Sequence, residues 1–177
     1  MPSAGNDHSG KISHRDETVS TTALQLPSGQ LVPTGPGEAA AAFVAAVAWG
    51  EHLRVWDLLT SEARNVVLKV AVARGMDEGL ATRLRDATAA GVERDTFLSD
   101  LVNGLRADLR GTDLDSIDFE ADPDPDPGRT DPKRAWIIVV APMINPLLGA
   151  GLPVASMELA YERGAWRVEH LIPRAQP

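Results

Sequence analysis

The stretch from Val154 to Pro173 constrains this chain most, because it reads as a β-hairpin. Two runs face each other, Val154–Glu162 and Ala165–Ile172, with Arg163-Gly164 between them. A two-residue connection containing glycine is a strong hairpin signal, since tight hairpin turns need positive φ. In that register Glu162 pairs with Ala165, Tyr161 faces Trp166, Leu159 faces Val168 and Met157 faces His170. Side chains alternate between faces along a strand. One face then carries Met157, Leu159, Tyr161, Trp166, Val168, His170 and Ile172, and the other Ser156, Glu158, Glu162, Arg167 and Glu169. Both strands put their apolar residues on one face, and a one-residue slip would bury the charges instead. One defect remains. Glu158 faces Glu169, a like-charge pair that costs stability, with Arg167 diagonally near to relieve it.

Upstream, the pattern is helical. Pro36-Gly-Glu38 opens a first helix with Phe43, Val44 and Val47 at helical spacing and Gly50 as its stop. A second, from Glu51 to Leu59, turns Leu53, Trp56 and Leu59 inward. Thr60 or Ser61 caps a third segment, from Glu62 to Arg74. Ala63, Val66, Val67 and Val70 fit a helix there, while Val66, Leu68, Val70 and Val72 fit a strand. Its length, its cap and Gly75 favour the helix. Asp77 caps a fourth helix that Gly91 stops. A fifth, from Arg94 to Arg110, carries the stripe Phe97, Leu98, Leu101, Val102, Leu105 and Leu109.

Strands follow: Leu114 to Ala121, then Arg134 to Ala141, which is apolar on both faces and therefore reads as central. Asp122 to Lys133 is a proline-stiffened loop. Pro142 to Pro153 is an apolar one. Helices first and antiparallel strands after make an α+β chain. Residues 1–35, rich in Ser, Thr, Gly and Pro, read as a disordered N-terminal segment, with Leu24, Leu26, Leu31 and Val32 available for docking. Residues 36–173 read as one domain.

Two motifs resemble the NTF2-like (SnoaL-like, cystatin-like α+β) superfamily. Phe43–Gly50 followed by Val55-Trp-Asp-Leu-Leu-Thr-Ser-Glu-Ala-Arg64 is similar to its opening helix, glycine break and second helix. Leu159–Val168 is similar to its closing hairpin, a glycine turn followed by Trp-Arg-Val. The resemblance covers residues 36–173. The helical stretch from Arg64 to Gly111 is longer than that pattern. The resemblance implies N-terminal helices packed on a curved antiparallel sheet, a cone enclosing a pocket, and frequent dimerisation. It implies a pocket lined by Trp56, Met157, Trp166 and Val168. The superfamily holds cyclases, isomerases and dehydratases beside non-catalytic binding modules, so the fold does not select among them.

Composition narrows the function. The net charge is −8 and the pI about 4.9, against general nucleic-acid binding and against an anionic membrane surface. There is no cysteine, hence no disulfide framework and no thiolate chemistry. No apolar run reaches the ~20 residues that span a bilayer. Met1–His8 lacks a basic segment followed by an apolar one, which leads to the expectation of a cytoplasmic protein. No phosphate loop, nucleophile elbow or His-x-x-x-His spacing occurs, so no cofactor and no metal is expected.

The candidate chemistry is sparse. His170, on the apolar face of the hairpin, is the candidate general acid or base. Tyr161, the only tyrosine, is a candidate oxyanion donor on that face. It lies ~13 Å along the hairpin from His170, too far for a direct pair. Asp57 and Glu62 are candidate carboxylates at the pocket mouth, with a plain helix-surface role as the simpler account. Asp122, Asp124 and Asp126 read as a solvated acidic loop, since interleaved prolines oppose the curl of a calcium loop. Ile144, Leu147, Leu148 and Leu152 make their loop more apolar than solvent favours, which marks a candidate interface or pocket lid. The reading is a binding or interaction module, with a small hydrophobic ligand and a homodimer or protein partner expected. The alternative is a small-molecule enzyme using His170 with Tyr161.

Overall fold

The structure, a computed structural model, describes residues 33–109, 113, 114, 116–122, 131–142 and 151–174. Among them, five helices precede four strands. These are α1 (Pro36–Trp49), α2 (His52–Asp57), α3 (Ser61–Ala73), α4 (Glu78–Arg85), α5 (Gly91–Asp108), β1 (Asp118–Ala121), β2 (Arg134–Ala141), β3 (Leu152–Glu162) and β4 (Ala165–Pro173). The strands form one open antiparallel sheet in the order β1-β2-β3-β4. The fold is α+β, and β2 is central to it.

Local chemistry sets most boundaries. Proline stands in the first turn of α1, and Gly50 ends it in the left-handed conformation at φ 74°. Thr60 caps α3, its hydroxyl accepting from the Ala63 amide at 3.0 Å. Asp77 caps α4 in the same way through the Leu80 amide at 2.8 Å. Residues 61–73 are helical, so the choice of helix over strand for that segment holds.

The main core joins Phe43, Val44 and Val47 of α1, Val55 of α2 and Val102 of α5 to Ile137, Val139, Met157, Leu159 and Val168 of the sheet. A second cluster, Leu68 with Ala81 and Leu84, ties α3 to α4. Trp56 packs against both, its ring edge-on to Phe97 at 6.1 Å.

Several helix faces differ from the sequence reading. Val55, not Leu53, is the residue α2 buries, because six residues make too short a helix for a full stripe. On α3, Ala63 and Leu68 point inward while Val66 and Val70 lie exposed. Gly91 stops nothing. Helix α4 already ends at Arg85, Ala87 makes the left-handed turn at φ 56°, and Gly91 opens α5.

The hairpin register holds at the turn and breaks beyond it. Arg163 and Gly164 both have positive φ, 53° and 82°, as a tight hairpin turn with right-handed twist requires. Glu162 pairs with Ala165, Tyr161 with Trp166 and Leu159 with Val168. A β-bulge then intervenes, so Glu158 pairs with His170 and Met157 with Leu171. The extra residue is Glu169. Beyond it the alternation inverts: Leu171 packs on the core, and His170 and Ile172 face out. The expected pairing of Met157 with His170 is therefore corrected, and so is the place of His170 on the apolar face.

Candidate functional site

The bulge gathers a charged group on the outer face of the sheet. Arg134 of β2 lies between two carboxylates, its Nη1 2.5 Å from Glu158 Oε1 and 3.1 Å from Glu169 Oε2. His170 donates from Nδ1 to Glu158 Oε2 at 3.0 Å, since a carboxylate can only accept. Burial raises the pKa of the Glu158 carboxyl, but hydrogen bonds from His170 and Arg134 and the Arg134 charge bring it below the ordinary value. The hydrogen bond to Glu158 raises the Arg134 pKa above its own ordinary value. The repulsion expected between Glu158 and Glu169 is thus relieved by Arg134, not by Arg167. The His170 side chain is 51% exposed, and the group lines neither of the two larger cavities.

The other sequence candidates scatter. Met157 and Val168 are fully buried in the core and line neither of those cavities. Trp56 is held between the two apolar clusters. Tyr161 is 46% exposed and edge-on to Trp166 at 5.5 Å, at the turn end of the hairpin. Leu152 is also 46% exposed, where β3 begins. Ile144, Leu147 and Leu148 lie outside the described residues, as do Leu24, Leu26, Leu31, Val32, Asp124 and Asp126.

What the fold does assemble is a cavity of about 530 Å³ where the hairpin turn meets α2 and the start of α3. The edge of β4 builds it. The Val168 amide donates to the Leu58 carbonyl at 2.8 Å, and the Thr60 amide donates to the Val168 carbonyl at 2.9 Å. This makes a parallel bridge between Leu59 and Val168. The bridge fixes Asp57 and Ser61 beside the hairpin turn. Glu162 then accepts from the Ser61 amide at 2.9 Å and from its hydroxyl at 2.5 Å. A carboxylate so placed satisfies an orphan amide and meets the positive end of the helix dipole. The Ser61 hydroxyl, followed by the Ser61 amide, holds the Glu162 carboxyl below the usual carboxylate range.

Four arginines, Arg54, Arg64, Arg163 and Arg167, reach this cavity, with Leu53, Leu58 and Trp166 as apolar wall. Arg64 donates from Nε to the Trp56 carbonyl at 2.8 Å and stacks over the Trp56 ring at 5.3 Å. Its Nη2 is 3.7 Å from Asp57 Oδ1, an ion pair beyond hydrogen-bonding distance. Arg167 donates to the Asp57 carbonyl. Burial lowers the Arg64 pKa; Asp57 opposes that shift, and Arg167 and Arg163 add to it. Asp57 lines this cavity and Glu62 does not. The arginines escaped sequence reasoning because they come from three elements as much as 113 positions apart, Arg54 to Arg167. Only Arg163, in the turn, carried a local signal.

A second, more open cavity of about 840 Å³ runs between α3 and α5, past the exposed Val66 and Val70. No protein-family model, no curated protein and no solved structure matches this chain. None of the described helices is long and apolar enough to cross a membrane.

Proposed function

We propose that this chain is a non-catalytic binding module of the NTF2-like type, with the cavity at the hairpin turn as its ligand site. The observation that carries the reading is the make-up of that cavity: four guanidiniums beside an apolar wall, with no histidine or tyrosine among the described residues that line it. A few convergent polar groups on apolar walls are what small-ligand sites generally present. The curved cone, a cytoplasmic address and a homodimer joined near Leu152 and the loop before it belong to the same proposal. Leu152 supports the dimer by being exposed at the edge of an apolar segment.

The enzyme reading draws on one observation, the His170–Glu158 hydrogen bond. A histidine oriented by a carboxylate is a general acid–base arrangement. It loses to the first reading because the pair faces out, and Tyr161 sits at the far end of the hairpin.

A thermal-shift screen of small hydrophobic ligands separates the two. A ligand that binds only the folded state raises Tm with concentration. Saturable shifts are expected in the wild type and in His170→Ala, and their loss in Leu53→Glu, at an exposed position on the cavity wall. Shifts abolished by His170→Ala and retained in Leu53→Glu would refute the reading.

A further inference from the structure

The chain carries a net charge of −8, yet among the described residues four guanidiniums and two carboxylates, Asp57 and Glu162, line the cavity at the hairpin turn. The imbalance is local. Arg54 is matched from outside the cavity by Glu51 at 3.0 Å. Glu162 is committed to Ser61 through both carboxylate oxygens. The Asp57 carboxylate is 78% exposed and reaches Arg64 only at 3.7 Å. Arg64, Arg163 and Arg167 are thus left short of acceptors.

Their donors are underused as well. A guanidinium carries five N–H donors. Arg64 spends one on the Trp56 carbonyl and Arg167 one on the Asp57 carbonyl. Arg163 stands 3.6 Å from Glu162, an ion pair too long for a hydrogen bond. The Arg64 side chain is 27% exposed, so water screens it less than a surface arginine. Burial disfavours its charge, Asp57 and Glu162 favour it, and Arg167 and Arg163 repel it; an anion between the arginines would relieve that repulsion.

We infer that the cavity takes a small organic oxyanion, its carboxylate or phosphate held by Arg64, Arg163 and Arg167 and its apolar body against Leu53, Leu58 and Trp166. The inference rests on the reading of this cavity as the ligand site. Planar guanidinium forks match both carboxylate and phosphate. The volume of about 530 Å³ falls inside the range of roughly 300–1,000 Å³ typical of small-molecule sites. Glu162 has a part in selectivity. Seated on the start of α3, it already takes the place an anion would find at that helix end, which leaves the arginines as the ligand's partners.

The test is a titration of the full, ¹⁵N-labelled chain with phenyl phosphate, benzoate and neutral phenol. The readout is the Trp166 indole N–H resonance, assigned with Trp166→Phe. The expected result is saturable binding of phenyl phosphate or benzoate at least ~10-fold tighter than phenol, a difference of ~1.4 kcal/mol. The two anions separate a phosphate site from a carboxylate site. Arg64→Gln and Arg163→Gln should each weaken the anion by about 10-fold and leave phenol unchanged. Arg163 is 77% exposed, so its variant decides the matter if Arg64→Gln fails to fold. Phenol binding as tightly as the anions, or anion affinity unchanged in Arg163→Gln, overturns the inference while the ligand site stands. Saturation by none of the three probes overturns both.

Discussion

Glu162 does structural service at the rim of the cavity proposed as the ligand site. It ties the hairpin turn to the start of α3 across 101 positions of sequence. Replacing it with alanine frees the Ser61 amide and removes a charge from the helix end, which should cost about 1 kcal/mol. The pH dependence has a definite sign. The folded-state pKa of Glu162 lies below its ordinary value. Its contribution is therefore complete above the unfolded value, ~4.3, and is lost as pH falls through the folded one. Urea unfolding of wild type and Glu162→Ala should differ most near neutral pH and converge under acid. Glu158, lowered by His170 and Arg134 against the opposing effect of burial, follows the same sign. A gap between the two proteins that stayed constant down to strong acid would mean the carboxylate is not what holds the turn to α3.

At the scale of elements, the hairpin was legible up to its bulge. The Arg163-Gly164 turn and the pairs from Glu162 to Leu159 follow from turn chemistry and alternation, which are local. The bulge at Glu169 is not local. It depends on Arg134, which draws Glu158 and Glu169 together from the neighbouring strand, and on Leu58 and Thr60, which take the backbone groups of Val168. The unfavourable Glu158–Glu169 pairing was the one visible sign that the simple register fails. The arginine cavity was illegible for the same reason, since its lining comes from separate elements. Helix α3 was legible as a helix, but not which of its valines it buries. Two variants test the inverted face. Met157→Ala, in the fully buried core, should cost ~2–5 kcal/mol. His170→Ala, which removes a half-exposed hydrogen bond to Glu158, should cost about 0.5–1.5 kcal/mol. Comparable losses from chemical denaturation would place His170 inside, against the bulge.

At the scale of the molecule, α1, α2 and α5 share the main core with the sheet, a second cluster ties α3 to α4, and the charged groups lie at the periphery. The His170–Glu158 pair occupies the outer sheet face, the apolar groove runs between α3 and α5, and the arginine cavity sits at the tip of the hairpin. Among the described residues, the last sets four guanidiniums beside an apolar wall. The most direct measurement is chemical-shift mapping of the ¹⁵N-labelled chain against a fragment set of small aromatic acids. With the ligand seated at the hairpin turn, shifts concentrate on two segments, Leu53–Arg64 and Glu162–Arg167. Shifts concentrated instead on Glu158, Glu169 and His170, or along Val66, Val70 and Phe97, would place the site on another face of the molecule and refute its place at the turn.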